Sequence, residues 1–283
     1  MKNKPKLIKE TCIAGRVIDR TIRVTHGVVA GRKRAEKVNP TPYSVRKNND
    51  RIATLNLSRK INANFCPDDG HLILTWAKEP TQEEARHALG LFFRRLKGRC
   101  RKAGHEVKAV WATELDSRIH HHVIINRVDL ELIRKCWTWG RVKWIPLDDE
   151  SNGNYYRLAE YIIKETAEHF RDPQSQTKQR YSCTRNLTSP IIVRQPASPA
   201  EFSIDKIKTI KGYLIDEDSV IEFENPISGC PTIFYMMTAM DDTPRLKKWR
   251  GGKNARQVKP EPLKTFEQLR QIEFGDLLEW DYL

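Results

Sequence analysis

Apolar and polar positions mark out one regular region of this chain, running from Asp69 to about residue 170. At its centre are two stretches, Val107 to Thr113 and Ile119 to Ile125, β-branched and apolar enough to be strands. Leu115-Asp-Ser-Arg118 is the turn between them. Upstream, His71-Leu-Ile-Leu-Thr-Trp76 follows a turn at Asp69-Gly70 and reads as a buried strand. A helix comes next. Thr81 and Glu84 stand at capping-box spacing, Ala85, Ala88, Leu89, Phe92 and Leu96 form its apolar stripe, and Gly104 ends it. Asp129 opens a second helix through Leu132, Ile133 and Cys136, closed by Gly140. Arg141-Val-Lys-Trp-Ile145 then gives a fourth strand before Pro146.

The order β-α-β-β-α-β predicts an α+β fold of ferredoxin-like type, an antiparallel four-stranded sheet with both helices on one face. The strand beginning at Ile119 is central in that arrangement, and the other face of the sheet is open to hold a site. A further helix is expected from Gly153 to Glu168, with Tyr155, Leu158, Ala159, Ile162, Ile163 and Phe170 gathered on one side. Tyr161 falls on the polar side, among Arg157, Lys164, Glu165 and Glu168, and Lys164 is its neighbour at i+3. A core tyrosine belongs in the apolar stripe. Tyr161 is therefore a candidate for chemistry, with an ordinary surface tyrosine as the alternative.

Outside this region the pattern weakens. Residues 1–66 read as a basic, irregular arm, with a weakly periodic helix from Arg51 to Ile61. Arg32, Lys33 and Arg34 are suited to backbone phosphates. The organised domain is expected over residues 67–195. Pro196-Ala-Ser-Pro199 resembles a linker into a small β-rich extension, residues 196–240, built from Lys211–Ile215, Ser219–Phe223 and Thr232–Met237. Residues 241–283 are polar, with a possible terminal helix from Thr265 to Leu278.

Charge narrows the partners. The 283 residues carry a formal net charge of +14, which favours a polyanion, nucleic acid foremost, over mere solubility. Cys12, Cys66, Cys100, Cys136, Cys183 and Cys230 are far apart and form no C-x-x-C pair. That argues against a disulfide framework or zinc ribbon and suits the cytoplasm. No apolar run has membrane-spanning length, and no signal-type core follows Met1.

The candidate chemistry lies in His120-His-His122. Alternation along a strand puts His120 and His122 on one face and His121 on the other. With residues 115–119 as the loop, Glu114 lies across the ladder from His120 on that same face. Two nitrogens and a carboxylate oxygen suit Mn²⁺ or Mg²⁺ with open positions, or Zn²⁺. The plainer alternative is a chance polar edge.

Together these residues resemble the HUH endonuclease family, above all the rolling-circle replication initiators of plasmids and phages. The likeness rests on His71-Leu-Ile-Leu-Thr-Trp76 as the first strand motif, His120-His-His-Val-Ile-Ile125 as the metal motif and Tyr161-Ile-Ile-Lys164 as the nicking motif. Tyr181-Ser-Cys-Thr-Arg-Asn-Leu187 with Pro190 resembles the segment that ends the catalytic domain in one bacterial branch. The resemblance covers about residues 51–195. His121 departs from it, because the family carries a bulky apolar residue there. The resemblance implies that Tyr161 attacks a phosphate of single-stranded or hairpin origin DNA to give a 5′-phosphotyrosine, with Lys164 beside it and a metal ion on His120, His122 and Glu114. It further implies DNA contacts by Arg157, Arg185 and Asn186. Some relatives carry two tyrosines four residues apart, but Arg157 and Glu165 occupy those positions here, so a single-tyrosine enzyme is expected. No G-x-x-x-x-G-K-[ST] occurs, so no nucleotide cofactor is expected and unwinding and synthesis fall to a helicase and polymerase of host or element. A single-tyrosine transposase, a mobilisation relaxase and a non-catalytic, metal-stabilised nucleic-acid-binding module are the alternatives.

Overall fold

The first described element is a hairpin. β1 (Lys6–Ala14) and β2 (Val17–Thr25) pair antiparallel with Ala14 opposite Val17, and Gly15 takes φ 61° in the turn, where glycine alone carries no steric penalty. The structure, a computed structural model, describes residues 6–25, 42–115, 118–147, 153–171 and 179–240. The hairpin corrects the expectation of an irregular arm. Cys12, Ile13 and Ala14 are buried in succession, as are Val17, Ile18 and Asp19, so these strands are covered on both faces and show no clean alternation. Arg32, Lys33 and Arg34 lie outside the described residues.

The chain divides into two units, Thr41–Pro190 and a discontinuous one of Met1–Pro40 with Ile191–Leu283. The first opens with α1 (Tyr43–Asn64), twice the length expected. Its inward residues mix Leu57 and Ile61 with Asn48, Thr54, Ser58, Arg59 and Asn62, and this polar inner face is what blurred its periodicity. Then come β3 (Gly70–Leu74), α2 (Gln82–Lys102), β4 (Ala109–Glu114), β5 (His120–Ile125), α3 (Leu130–Cys136) and β6 (Val142–Pro146), the expected β-α-β-β-α-β order. The capping box at α2 is present, with the Glu84 N–H donating to Thr81 Oγ1 and the Thr81 N–H to Glu84 Oε2.

α4 (Tyr156–Glu165) and α5 (Ala167–Arg171) follow, then the two-residue β7 (Ser182–Cys183). The sheet order is β6-β3-β5-β4-β7, antiparallel throughout, with β5 in the middle. One face packs Leu72, Leu74, Val123 and Ile125 against Phe92 and Leu96 of α2 and Ile133 of α3. The other face is not open as expected. Val110, Ala112 and Ile124 pack against Leu57 and Ile61 of α1 and Ala159, Ile162 and Ile163 of α4. Three apolar side chains on that face require a cover, and α1 and α4 supply it.

The expected single helix from Gly153 to Glu168 is broken. Thr166 turns its hydroxyl back onto the carbonyls of Ile162 and Ile163, 2.9 and 3.3 Å away, and α4 ends. Phe170 leaves the buried stripe in consequence and lies on the surface under the Arg180 guanidinium, 4.7 Å from it.

The second unit is a sheet of order β8-β1-β2-β10-β9, completed by β8 (Ile191–Pro196), β9 (Tyr213–Glu224) and β10 (Pro231–Ala239). Ile13, Ile18, Ile22, Ile233, Tyr235 and Met237 form its core, with Phe202, Ile207 and Ile210 packed against them. Lys211–Ile215 and Ser219–Phe223 thus merge into one long strand, and β8 runs up to the segment read as a linker. The expected helix from Thr265 to Leu278 lies outside the described residues.

Candidate metal centre and tyrosine helix

The site is built at one end of the two central strands. β4 and β5 pair with Ala112 opposite His122 and Glu114 opposite His120, the register expected with residues 115–119 as the loop. Alternation then brings three ligand atoms together. His120 Nε2 is 3.1 Å and His122 Nε2 3.6 Å from Glu114 Oε2, and the two nitrogens are 3.1 Å apart. An ion about 2.1 Å from each atom would hold neighbouring octahedral ligands about 3.0 Å apart, close to these separations. Glu114 and His122 are buried and His120 is partly exposed, so the group could hold a metal ion with open positions towards solvent.

The far side of each imidazole is also held. His120 Nδ1 donates to the Arg118 carbonyl at 2.8 Å, which leaves Nε2 of the neutral ring as a lone pair directed at Glu114 and His122. The turn carrying that carbonyl is braced in turn, because the Arg118 guanidinium donates to the Trp76 carbonyl (2.7 Å) and the Ile119 N–H to Glu79 Oε1 (2.8 Å). His122 Nδ1 lies 3.0 Å from His71 Nε2. Burial, reinforced by the histidines around it, pushes His122 down to about 3, and burial with Lys143 and His120 pushes His71 down to about 4. Both rings are neutral near pH 7, the state a metal ligand requires.

His121 takes the opposite face. Its Nδ1 is 2.9 Å from Thr113 Oγ1, and its ring is enclosed edge-on by Trp76 and Trp137. Its Nε2 has no hydrogen-bond partner among the described residues.

α4 carries Tyr161 to the group. Ala159, Ile162 and Ile163 turn into the core, so Tyr161 faces outward, 43% exposed, with its ring edge-on to His122 at 5.4 Å between centroids. Burial first, then the Glu165 and Glu114 carboxylates, hold its phenol above the ordinary tyrosine range. Lys164 is exposed one turn further along α4, and Arg157 one turn before.

Arg185 and Asn186 are not brought to this group. The Asn186 amide donates to the Val107 carbonyl at 3.2 Å, and Thr184 is tied to Ala109 by two hydrogen bonds. They therefore lie at the start of β4, roughly 17 Å along the strand from Glu114. The Asn186 amide thus serves the fold by anchoring β7 beside β4.

His71, Arg118 and Glu79 take part without having been singled out for these contacts. His71 was within reach of register reasoning. β3 pairs with β5 so that His71 faces Ile124, two residues from His122 and on the same side of the sheet.

Fold and site define a class, an α+β domain with a two-histidine, one-carboxylate group at the end of a central hairpin and a tyrosine presented to it from a covering helix. Residues 71–169 match the family model of the replication-associated protein ORF2, a stretch that holds the whole group, Tyr161 and Lys164. No curated protein and no solved structure matches the chain. Among the described residues no helix is long and apolar enough to cross a membrane.

Proposed function

We propose that this chain is a rolling-circle replication initiator of the HUH type, which nicks and rejoins single-stranded or hairpin origin DNA through Tyr161. The observation that carries this reading is the position of Tyr161, edge-on to His122 beside the convergent atoms of Glu114, His120 and His122. The family match supports a role in DNA replication, and the net charge of +14 supports a polyanionic substrate.

In the reaction Tyr161 Oη attacks a backbone phosphorus, the bond to the 3′-oxygen breaks, and the DNA is left as a 5′-phosphotyrosine and a 3′-hydroxyl. The phenolic proton passes to solvent, which the exposure of Tyr161 permits, and the departing 3′-oxygen takes one up. A phenol whose pKa lies above about 10 is a poor nucleophile at neutral pH. The neighbouring carboxylates of Glu165 and Glu114 worsen this and call for a compensating cation. When bound at the Glu114–His120–His122 group, Mn²⁺ or Mg²⁺ would supply that charge and polarise the phosphate. Lys164, on the same side of α4, adds a second positive charge. The phosphotyrosine conserves the phosphodiester energy, so rejoining is the reverse attack by a 3′-hydroxyl and uses no nucleotide. Strand separation and synthesis are left to a helicase and polymerase of host or element.

The test is an oligonucleotide nicking assay with Mn²⁺ on single-stranded and hairpin substrates from the neighbourhood of the gene. Covalent protein–DNA product is expected with the wild type and none with Tyr161→Phe. Adduct in the Tyr161→Phe variant would move the nucleophile to another tyrosine, Tyr156 first. Metal and DNA binding by the wild type without any adduct would make the chain a binding module and overturn the nicking reading.

A further inference from the structure

We propose that His71 is a positioning residue for the metal group, acting through His122 by accepting the proton of its Nδ1 so that Nε2 is left free to bind the ion. The argument starts from what a ligand must be. A histidine that binds through Nε2 carries its single proton on Nδ1, and in a buried site that N–H needs an acceptor. His122 is almost fully buried, and the polar atom within hydrogen-bond distance of its Nδ1 is His71 Nε2, at 3.0 Å. The two rings lie 5.2 Å apart, inclined by 29°.

This geometry also rules out His71 as a ligand itself. Its Nε2 points at the back of His122, and the convergent group consists of Glu114, His120 and His122. His120 has the equivalent support from a backbone carbonyl, which is an acceptor in every state. His71 can accept or donate, so the state of His122 is set by His71 and not by the main chain. If His71 donates to His122 Nδ1, the His122 proton is forced onto Nε2, which then faces His120 Nε2 at 3.1 Å and is closed to a metal. With leucine at position 71, Nδ1–H of His122 has no acceptor from that side chain, and the Nε2–H form that can donate towards Glu114 is favoured. The metal must then bind against that preference.

The inference rests on the metal reading of the group and not on the nicking chemistry, so its test measures binding and tautomer alone. Mn²⁺ affinity is measured by calorimetry for the wild type, His71→Leu and His71→Gln. Loss of the supporting partner predicts about 10- to 100-fold weaker binding for His71→Leu. His71→Gln, whose amide oxygen can accept, is expected to remain within a few-fold of the wild type. A role in packing alone predicts the reverse order, since leucine fills the site as well as glutamine does. Leucine binding as tightly as the wild type, or glutamine binding no better than leucine, overturns the proposal. Because His71→Leu could fail to fold, the wild type is also examined directly. Long-range ¹H–¹⁵N spectra with Zn²⁺ as a diamagnetic probe should show His122 protonated at Nδ1 and His71 unprotonated at Nε2. His122 protonated at Nε2 in the loaded protein overturns the proposal regardless of the variants. A wild type that binds neither ion overturns it together with the metal reading, whereas binding without nicking leaves it standing and defeats only the proposed function.

Discussion

Neighbouring residues on one strand allow the same substitution to be made on both faces of the sheet, as His121→Leu and His122→Leu. The two changes remove the same group from equally buried positions but should be told apart by metal. At position 121 the lost ring has an Nε2 without a partner, a burden on the fold of about 1–3 kcal/mol, while its bond to Thr113 Oγ1 contributes about 1 kcal/mol. The metal-free protein should therefore melt at the same temperature or slightly higher. His122→Leu loses the bond to His71 and one of three candidate ligands. An ion at a hundredfold excess over its Kd stabilises the folded state by about 2.7 kcal/mol. For a unit of roughly 150 residues that is a rise in Tm of about 5–11 °C. Calorimetric melts with and without Mn²⁺ should show this rise in the wild type and in His121→Leu, and none in His122→Leu at the same concentration. A rise lost in His121→Leu and kept in His122→Leu would mean that the metal lies on the other face, and the argument from register would be refuted.

Three further outcomes are expected. Tyr161→Phe removes only a hydroxyl, so its affinity for single-stranded DNA in a filter-binding assay should match the wild type; a large loss would make Tyr161 a binding residue. Affinity should fall with salt by about 0.7 log units per tenfold for each phosphate contacted, and a flat titration would assign the charge of +14 to solubility. Acid should weaken the fold through His71 and His122, which are pushed down to about 4 and 3 from an unfolded value near 6.5. Between those values the unfolded chain binds more protons, so stability is complete above about pH 6.5 and declines as pH falls towards 4. In metal-free melts from pH 7 to 5 the decline should be shallower for His71→Leu than for the wild type, and parallel curves would contradict it.

The fold was legible where pattern and period coincide. α2 has a capping box, an apolar stripe and a terminal glycine, and the four strands around it are short, apolar and bounded by turns, so their order could be read directly. What was missed has one cause, burial on more than one side. β1 and β2 hide consecutive residues, and their sheet neighbours β8 and β10 lie more than 160 residues further along the chain, a pairing that no local pattern carries. α1 buries asparagine, serine, threonine and arginine beside Leu57 and Ile61, so its stripe is half polar. With α1 hidden from view, the second face of the sheet looked open. The same omission concealed why α4 lies where it does, since the Tyr155 N–H donates to Asn62 Oδ1 of α1 at 2.9 Å and fixes the start of the tyrosine helix.

The candidate site was legible to the extent that it depends on parity. A period of two is a strong rule, and it separates His120 and His122 from His121 without any knowledge of the partner strand. Loop length added Glu114, because a ladder residue's partner is fixed once the turn is fixed. Contacts that depend on a strand from elsewhere in the sequence were out of reach by that rule alone. β3 joins β5 only through the crossover of α2, so the register placing His71 opposite Ile124 is set by packing of the whole sheet. Tyr161 was recognisable by being on the wrong side of its helix for a core residue. Its approach to His122 follows from the seating of α4 on Val110, Ala112 and Ile124, the apolar residues that continue the same sheet face beyond the ligands. One face of β4 and β5 thus has two roles along its length, apolar where it holds the helix and polar where it meets the tyrosine that the helix carries. A substitution that shifts α4, such as Ala159→Leu in its buried face, should therefore separate Tyr161 from the group and reduce nicking while Mn²⁺ binding, which uses β4 and β5 alone, is unchanged. If both fell together, the ligands themselves would depend on α4, and the division between a strand-borne metal group and a helix-borne nucleophile would not hold.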